Sequence, residues 1–313
     1  MTYARVLAAA VFAVLLPAAT IAAQPAPDAL RYPATTSLDL GATTLFVQAD
    51  REQPLAGLQL FVAAGLSRES FADNGLAALT AECLLGTPIA TALGTMPLRD
   101  AIAADGGSLT YEVESRYTRF YLESQPERLP ALLGFVATAF ASPAFGQPTL
   151  GAAKAALTAK IDAAEKNPVT VGIGMFKQSY FQGGAGLPSL GTRANVAGID
   201  SDRLRGFYAG GYKRSSATVT AVGGVTPQIA AATKSLVAAL PAGSVDPVTT
   251  QVKPLESGTR RIITHRDIGA PWLVLGFAAP SPGDPDFGPM LVIESLLSSV
   301  FERNSATTLP AVE

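Results

Sequence analysis

Histidine and cysteine are nearly missing from this sequence: its 313 residues carry one of each, His265 and Cys83. A single cysteine excludes an internal disulfide. A single histidine excludes a zinc site built on two histidines of one chain, and any Ser-His-Asp or Cys-His pair would have to use His265. Charge is also sparse. Only 15% of residues are Asp, Glu, Lys or Arg, the formal net charge is −2, and no basic run offers a footprint for nucleic acid. After the first residues, no apolar run is long enough to cross a bilayer. Nucleotide-binding signatures are missing too. "GIGMFK" lacks the third glycine of a dinucleotide loop and follows no strand, and no GxxxxGK[ST] occurs. Ser189 in "GLPSLG" does not have the spacing of a nucleophile elbow.

What is present favours a packed, secreted chain. At 48% hydrophobic, the sequence has enough apolar material for a substantial core, and its length suits two domains. Arg5, the apolar run Val6 to Leu16, the break at Pro17 and the small residues of "TIAAQ" read as a signal peptide over 1–23, with the mature chain starting near Gln24. The competing reading, an uncleaved anchor, suffers from a run that is short for a span and interrupted by proline. The expected location is therefore periplasmic or secreted.

A leader over 24–35 precedes the first domain, 36–242. "TTLFVQAD" and "GLQLFVAAG" read as strands, and "SLTYEVES" and "YTRFYLES" as a hairpin. Helices are expected in "PLRDAIAADGG", "PERLPALLGFVATAFASPAF", "TLGAAKAALTAKIDAAEKN", from Pro168 through "VGIGMFKQSYF", and in "DSDRLRGFYAGGY". The strand "SSATVTAVGG" then leads to a helix capped by Thr226 with Pro227 at its first position. A linker, 243–257, precedes a second unit, 258–313, which repeats strand–strand–helix and then stops. The fold class is α+β: a mixed or antiparallel sheet with helices on one face, plus an incomplete second copy. The helix "MLVIESLLSSVF" of the second unit is apolar on most of its surface, more than a two-stranded ribbon can cover.

The stretch "DNGLAALTAECLLGT", from Asp73 to Thr87, reads as a helix capped by Asp73 or Asn74 and ended by Gly86. Leu76, Leu79, Thr80, Cys83 and Leu84 share one face. Ala78, Ala81 and Glu82 lie opposite. Cys83, on the apolar face, is expected to be a buried, inert thiol.

This helix and the strand before it resemble the entry of the insulinase/pitrilysin-type (inverzincin) metallopeptidases. That family reads strand, "GSRxE", then "GLAHxxEHxxxxGT"; here Gly65-Leu66-Ser67-Arg68-Glu69, Gly75-Leu76-Ala77 and Gly86-Thr87 match. Asn167-Pro168, "GLPSLGT" and "LRGFYAGGYKRSSATVTAVGGV" resemble later family segments in order, and the second unit resembles the start of the family's second repeat. The resemblance spans nearly all of residues 40–305.

In the family, His-x-x-Glu-His places two histidines on one helix face toward zinc, and the glutamate activates water. On this sequence, the resemblance puts the first histidine at Ala78, the catalytic glutamate at Ala81 and the second histidine at Glu82. The third ligand, a glutamate eight residues before the proline, falls on Lys160. Structural zinc contributes about 10–16 kcal/mol with a full ligand set; one carboxylate cannot approach that. A lysine ~4 Å from a dication adds repulsion of about 8 kcal/mol at an effective dielectric of 20. Alanine at 81 removes the general base. The expectation is thus no metal, no cofactor and no catalytic residue.

Glu82 is expected to be a solvated or cleft-lining residue, with a Lys160–Glu82 ion pair across the old site as the sharper alternative. His265 is read as an ordinary surface or half-buried histidine. Tyr111, Tyr117, Phe120 and Tyr121 are read as core or cleft-wall packing, since no basic patch accompanies them. The resemblance implies a non-catalytic, extracytoplasmic protein that partners an active zinc peptidase of the same family. The alternatives are a stand-alone peptide-binding or chaperone-like protein, with a peptide added as a strand to a sheet edge, and a truncated member without activity.

Overall fold

The computed structural model describes residues 33–181, 183–248, 262–263, 273–274 and 279–304, the side chains of the last helix being described as far as residue 297. The segment read as a signal peptide, His265, most of the linker and the two strands expected in the second unit lie outside the described residues.

The strands follow the alternation in the sequence. In β3 (Ala56–Val62) and β7 (Thr118–Ser124), every second residue is buried. That period of two is what a sheet covered on one face requires. A six-stranded sheet runs in the order β1-β2-β8-β3-β7-β6, with β1 at Thr36–Asp39, β2 at Thr44–Ala49, β6 at Ser108–Val113 and β8 at Thr218–Gly223. Only β2 and β8 run parallel; the other pairings are antiparallel, so the sheet is mixed. The expected hairpin forms, with Ser108 opposite Glu123 and Val113 opposite Thr118. The two strands expected at the start are not neighbours: β8, from far along the chain, inserts between β2 and β3.

Strand β1, a two-stranded ribbon and a short helix over Arg193–Gly198 escaped the sequence reading. β1 lies just past the proline-containing leader and is exposed along its length. The ribbon of β4 (Pro88–Thr91) and β5 (Gly94–Pro97) lies between the first two helices, turning at Gly94 with φ +113°.

The helices α1 (Leu76–Leu85), α2 (Leu98–Ala104), α3 (Leu129–Ala141), α4 (Thr149–Lys166), α5 (Pro168–Tyr180), α6 (Arg193–Gly198), α7 (Ser201–Gly211) and α8 (Pro227–Ala239) accompany the sheet. Asn167 caps α5, Asp200 caps α7 and Thr226 caps α8, each through its side chain. The core joins sheet residues Leu58, Leu60, Phe120, Leu122 and Val219 to Leu129, Leu132, Leu133, Phe140 and Leu236 of the helices. Phe120 and Phe140 meet edge to face at 5.1 Å. The opposite sheet face, carrying Phe46, Gln59, Arg119, Tyr121 and Thr220, has no such cover among the described residues, and Phe46 and Val222 are exposed there.

α9 (Phe287–Asn304) is the helix expected in the second unit. Leu291, Val292, Ile293, Leu296 and Leu297 are all exposed on it. No helix among the described residues is long and apolar enough to cross a membrane.

Candidate functional site

α1 is not the two-faced helix its spacing suggested. Every residue from Leu76 to Leu85 is buried. β6, α2, α3, α4 and α7 surround it, so no side of it is left for water. A helix flanked in this way has to be small or apolar where its neighbours come close, which accounts for Ala77, Ala78 and Ala81, all fully buried.

Its N-terminus is held from outside the helix. The residue at the cap position is Gly75 in a left-handed conformation, φ +111°, not Asp73 or Asn74. The capping carboxylate is Glu69, from the "GLSRE" segment. Glu69 Oε1 accepts from the Ala77 amide at 2.7 Å; Oε2 accepts from the Gly75 amide at 3.1 Å and from Asn74 Nδ2 at 2.8 Å. A carboxylate on unsatisfied amides at the positive end of a helix dipole is a favourable placement. Burial nonetheless dominates and pushes the Glu69 carboxyl above its usual range, against the opposing effect of these three donors. Asn74 Nδ2 also donates to the Pro188 carbonyl at 3.0 Å, and Gly191, φ +79°, lies so close that a Cβ there would sit 2.6 Å from Gly75 Cα. "GLPSLG" is therefore the clamp over the start of α1, and the glycines allow two backbones to touch.

Glu82 sits one turn before the end of α1 and is wholly buried, which corrects the expectation of a solvated carboxylate. Its charge is met by three groups from three elements. Arg99 Nη2 of α2 reaches Oε2 at 2.7 Å. Tyr111 Oη of β6 donates to Oε1 at 2.8 Å. Lys160 Nζ of α4 bonds the same Oε1 and stands 4.6 Å from the centre of the Tyr111 ring, a cation–π placement. The sharper alternative drawn from the sequence, a Lys160–Glu82 pair, is present in the structure. Burial by itself would raise the Glu82 carboxyl; Lys160, Arg99 and Tyr111 together outweigh it and hold the group below its usual range. The same carboxylate works with burial to raise the phenol of Tyr111 far above the ordinary range, and burial pushes the Cys83 thiol up to about 12, with Glu82 adding to it.

Of the four positions derived from the zinc motif, the structure joins Glu82 and Lys160 in one contact, while Ala78 and Ala81 are packed in the core. These residues do not fit a zinc ion. The one carboxylate is already bonded to two cations and a hydroxyl. Among the described residues, no three His, Cys, Asp or Glu side chains come together as a ligand set. Arg99 escaped the sequence reading, since nothing in "PLRDAI" marks that arginine as pointing back to a carboxylate 17 residues earlier. Tyr111 was read as packing, and its hydroxyl was missed.

β6 carries Tyr111 and is an edge of the sheet; its outer side has no strand partner among the described residues. Beside it lies a cleft of about 410 Å³ lined by Gln59, Thr110, Tyr111, Glu112, Arg119 and Tyr121. The four aromatics of the hairpin separate accordingly. Phe120 is core, Tyr117 is partly exposed against Phe61, Tyr121 lines the cleft, and Tyr111 turns its ring to the helix side, toward Phe120 and Glu82.

Residues 198–307 match the family model described as "Peptidase M16 inactive domain". No curated protein sequence matches the chain. Among solved structures, a peptidase M16 inactive domain from Pseudomonas fluorescens superposes with TM-score 0.58 at 21% identity, over 67% of this chain and 52% of that one. A protease from Helicobacter pylori gives 0.59 at 14% identity, over 70% and 53%. Pitrilysin gives 0.59 at 17% identity, over 73% of this chain and 26% of its own. The chain thus spans about half the length of the first two structures it matches. The fold is thus the one seen in M16 peptidase structures, residues 198–307 match the model of that family's inactive domain, and the sequence lacks the His-x-x-Glu-His of the insulinase/pitrilysin-type peptidases it resembles.

Proposed function

We propose that this chain is a non-catalytic peptidase-fold protein acting outside the cytoplasm as the partner subunit of an active zinc peptidase of the same family. The observation that carries this reading is the Glu82 cluster. Where the family resemblance places a metal, an ion-paired carboxylate takes up every ligand-like oxygen within a fully packed fold. The fold is kept and its chemistry is not, so what is left to select is shape and surface. Assembly is supported by two further points. α9 leaves five large apolar side chains exposed, and burying each contributes about 1.5–3 kcal/mol. A chain in Complex III from Candida albicans superposes on this one with TM-score 0.53 at 18% identity, over 70% of this chain, so this fold occurs as a component of a larger assembly. The test is co-expression with a family peptidase that has an intact zinc motif. Co-elution in size-exclusion chromatography and a raised kcat/KM for the pair are expected; a monomer that ignores every such peptidase refutes the reading. Location is tested separately, by fractionation and by N-terminal sequencing, which should find a start near Gln24.

The free edge of β6 favours a second element of function, peptide binding. An extended peptide pairing with β6 uses backbone groups only, so loss of the catalytic side chains leaves it intact. The cleft beside β6 is large enough for a few side chains of such a peptide. In the partner reading this edge contributes to substrate capture; in a stand-alone chaperone-like protein it is the whole activity.

A further inference from the structure

The Glu82 cluster holds more positive charge and more donors than its carboxylate uses. Arg99 and Lys160 bring two positive charges to the single negative charge of Glu82, so the group carries a net charge of +1. A guanidinium has five N–H donors and an ammonium three. Among the described residues, Glu82 is the acceptor for both side chains: Arg99 reaches its carboxylate and, at 3.4 Å, its backbone carbonyl, and Lys160 reaches its carboxylate. The carboxylate is fully buried while the cations are not; the side chains of Arg99 and Lys160 are 35% and 47% exposed. A buried anion thus pins two cations in place and leaves their outer donors facing outward. Tyr111 joins this cluster to β6, since its hydroxyl binds Glu82 on the helix-covered side of the strand, while its neighbours Thr110 and Glu112 alternate to the other side, where the cleft lies. Arg119, on the cleft side of the strand, is already paired with Glu112, so the unspent positive charge near the β6 edge is that of Arg99 and Lys160, on the helix side.

We propose that Lys160 and Arg99 form a carboxylate-binding subsite at the β6 edge, which receives an acidic side chain or the C-terminal carboxylate of an extended peptide. The proposal rests on the peptide-binding reading of β6 and adds a charge preference to it. A ligand carboxylate is geometrically matched to an arginine fork and gains strength where the cations are partly desolvated and pre-positioned. Held at Glu82, the two side chains do not have to be ordered when ligand arrives. The subsite also opposes metal: the two cations that attract a carboxylate repel a dication.

The test uses the full chain and a library of fluorescently labelled extended peptides, read by anisotropy. Each peptide is made in three forms: free C-terminus, C-terminal amide, and amide with its Glu and Asp residues changed to Gln and Asn. The expected result is at least a fivefold loss of affinity on removing the relevant carboxylate, with the loss reduced in 0.5 M salt. Loss on amidation identifies the C-terminal carboxylate as the ligand; loss only on the Glu and Asp changes identifies an acidic side chain. In Lys160→Met and in Arg99→Gln, the charged and neutral forms should bind within twofold of each other. Because the three peptide forms are compared on the unaltered protein, the answer does not depend on either variant folding. Equal affinity of all three forms overturns the subsite and leaves peptide binding standing. Absence of binding by any form overturns both.

Discussion

Replacing Lys160 by methionine tests whether the Glu82 cluster stabilises the fold. The change keeps much of the stem that lies against Tyr111 and deletes the charge. Glu82, with no solvent exposure, would retain Arg99 and Tyr111 but lose one of its two cations. Two unit charges ~4 Å apart interact by about 4 kcal/mol at an effective dielectric of 20. The lysine side chain is 47% exposed, so screening by water removes roughly half of that, leaving a cost of about 2 kcal/mol. This is below the 3–5 kcal/mol typical when a wholly buried pair loses one member, as it should be with a second cation still in place. For a chain of this size, about 2 kcal/mol corresponds to a fall in Tm of about 4–8 °C. Chemical unfolding followed by circular dichroism at pH 7 measures the cost directly, and a cycle with Glu82→Gln isolates the pair. The pH dependence supplies a second check. The folded-state pKa of Glu82 lies below its ordinary value of 4.5. Its stabilisation is therefore fully present above pH 4.5 and is lost as pH falls through the depressed value. The penalty for Lys160→Met should be largest near neutrality and shrink in acid. A coupling energy within 0.5 kcal/mol of zero at pH 7 would show that the cluster is not a source of stability.

Glu69→Ala should cost about 2–4 kcal/mol in the same unfolding assay, because it strands the buried amides of Gly75 and Ala77 and takes one of the two acceptors of Asn74 Nδ2; a loss under 1 kcal/mol would show that water replaces the cap. Cys83, fully buried with its thiol pushed up to about 12, should resist an aromatic disulfide reagent at pH 8 in the native state and react once per chain in denaturant; native reactivity within minutes contradicts the packing of α1. Purified protein exposed to zinc and desalted should hold far less than one ion per chain by mass spectrometry, and a stoichiometric zinc lost in Glu82→Ala would mean that the cluster opens to bind metal.

Local pattern carried much of the fold. Alternation in "GLQLFV" and "TRFYLES" produced β3 and β7 because a half-covered sheet needs a period of two. Capping chemistry placed the start of α8 at Thr226 because orphan amides need nearby acceptors, whereas at α1 the acceptor came from Glu69, outside the local pattern. The absence of His-x-x-Glu-His was also legible, since it is a matter of which side chains exist. Strand order was not legible. The insertion of β8 between β2 and β3 is decided by contacts more than 150 residues apart, and no local period records them. Nor was the environment of Glu82. From the helix alone, its flank with two alanines looked like the side toward water; only the approach of β6, α2, α3, α4 and α7 made it interior. The small side chains that suggested a bare surface are the ones a crowded helix needs. Once that burial is imposed, a lone carboxylate has to find cations, and Arg99, Tyr111 and Lys160 reach it from three separate elements. The sequence by itself determined that His-x-x-Glu-His is missing, whereas the tertiary structure decided that Glu82 is interior and which groups meet its charge, because burial and the reach of Arg99, Tyr111 and Lys160 depend on how separate elements pack.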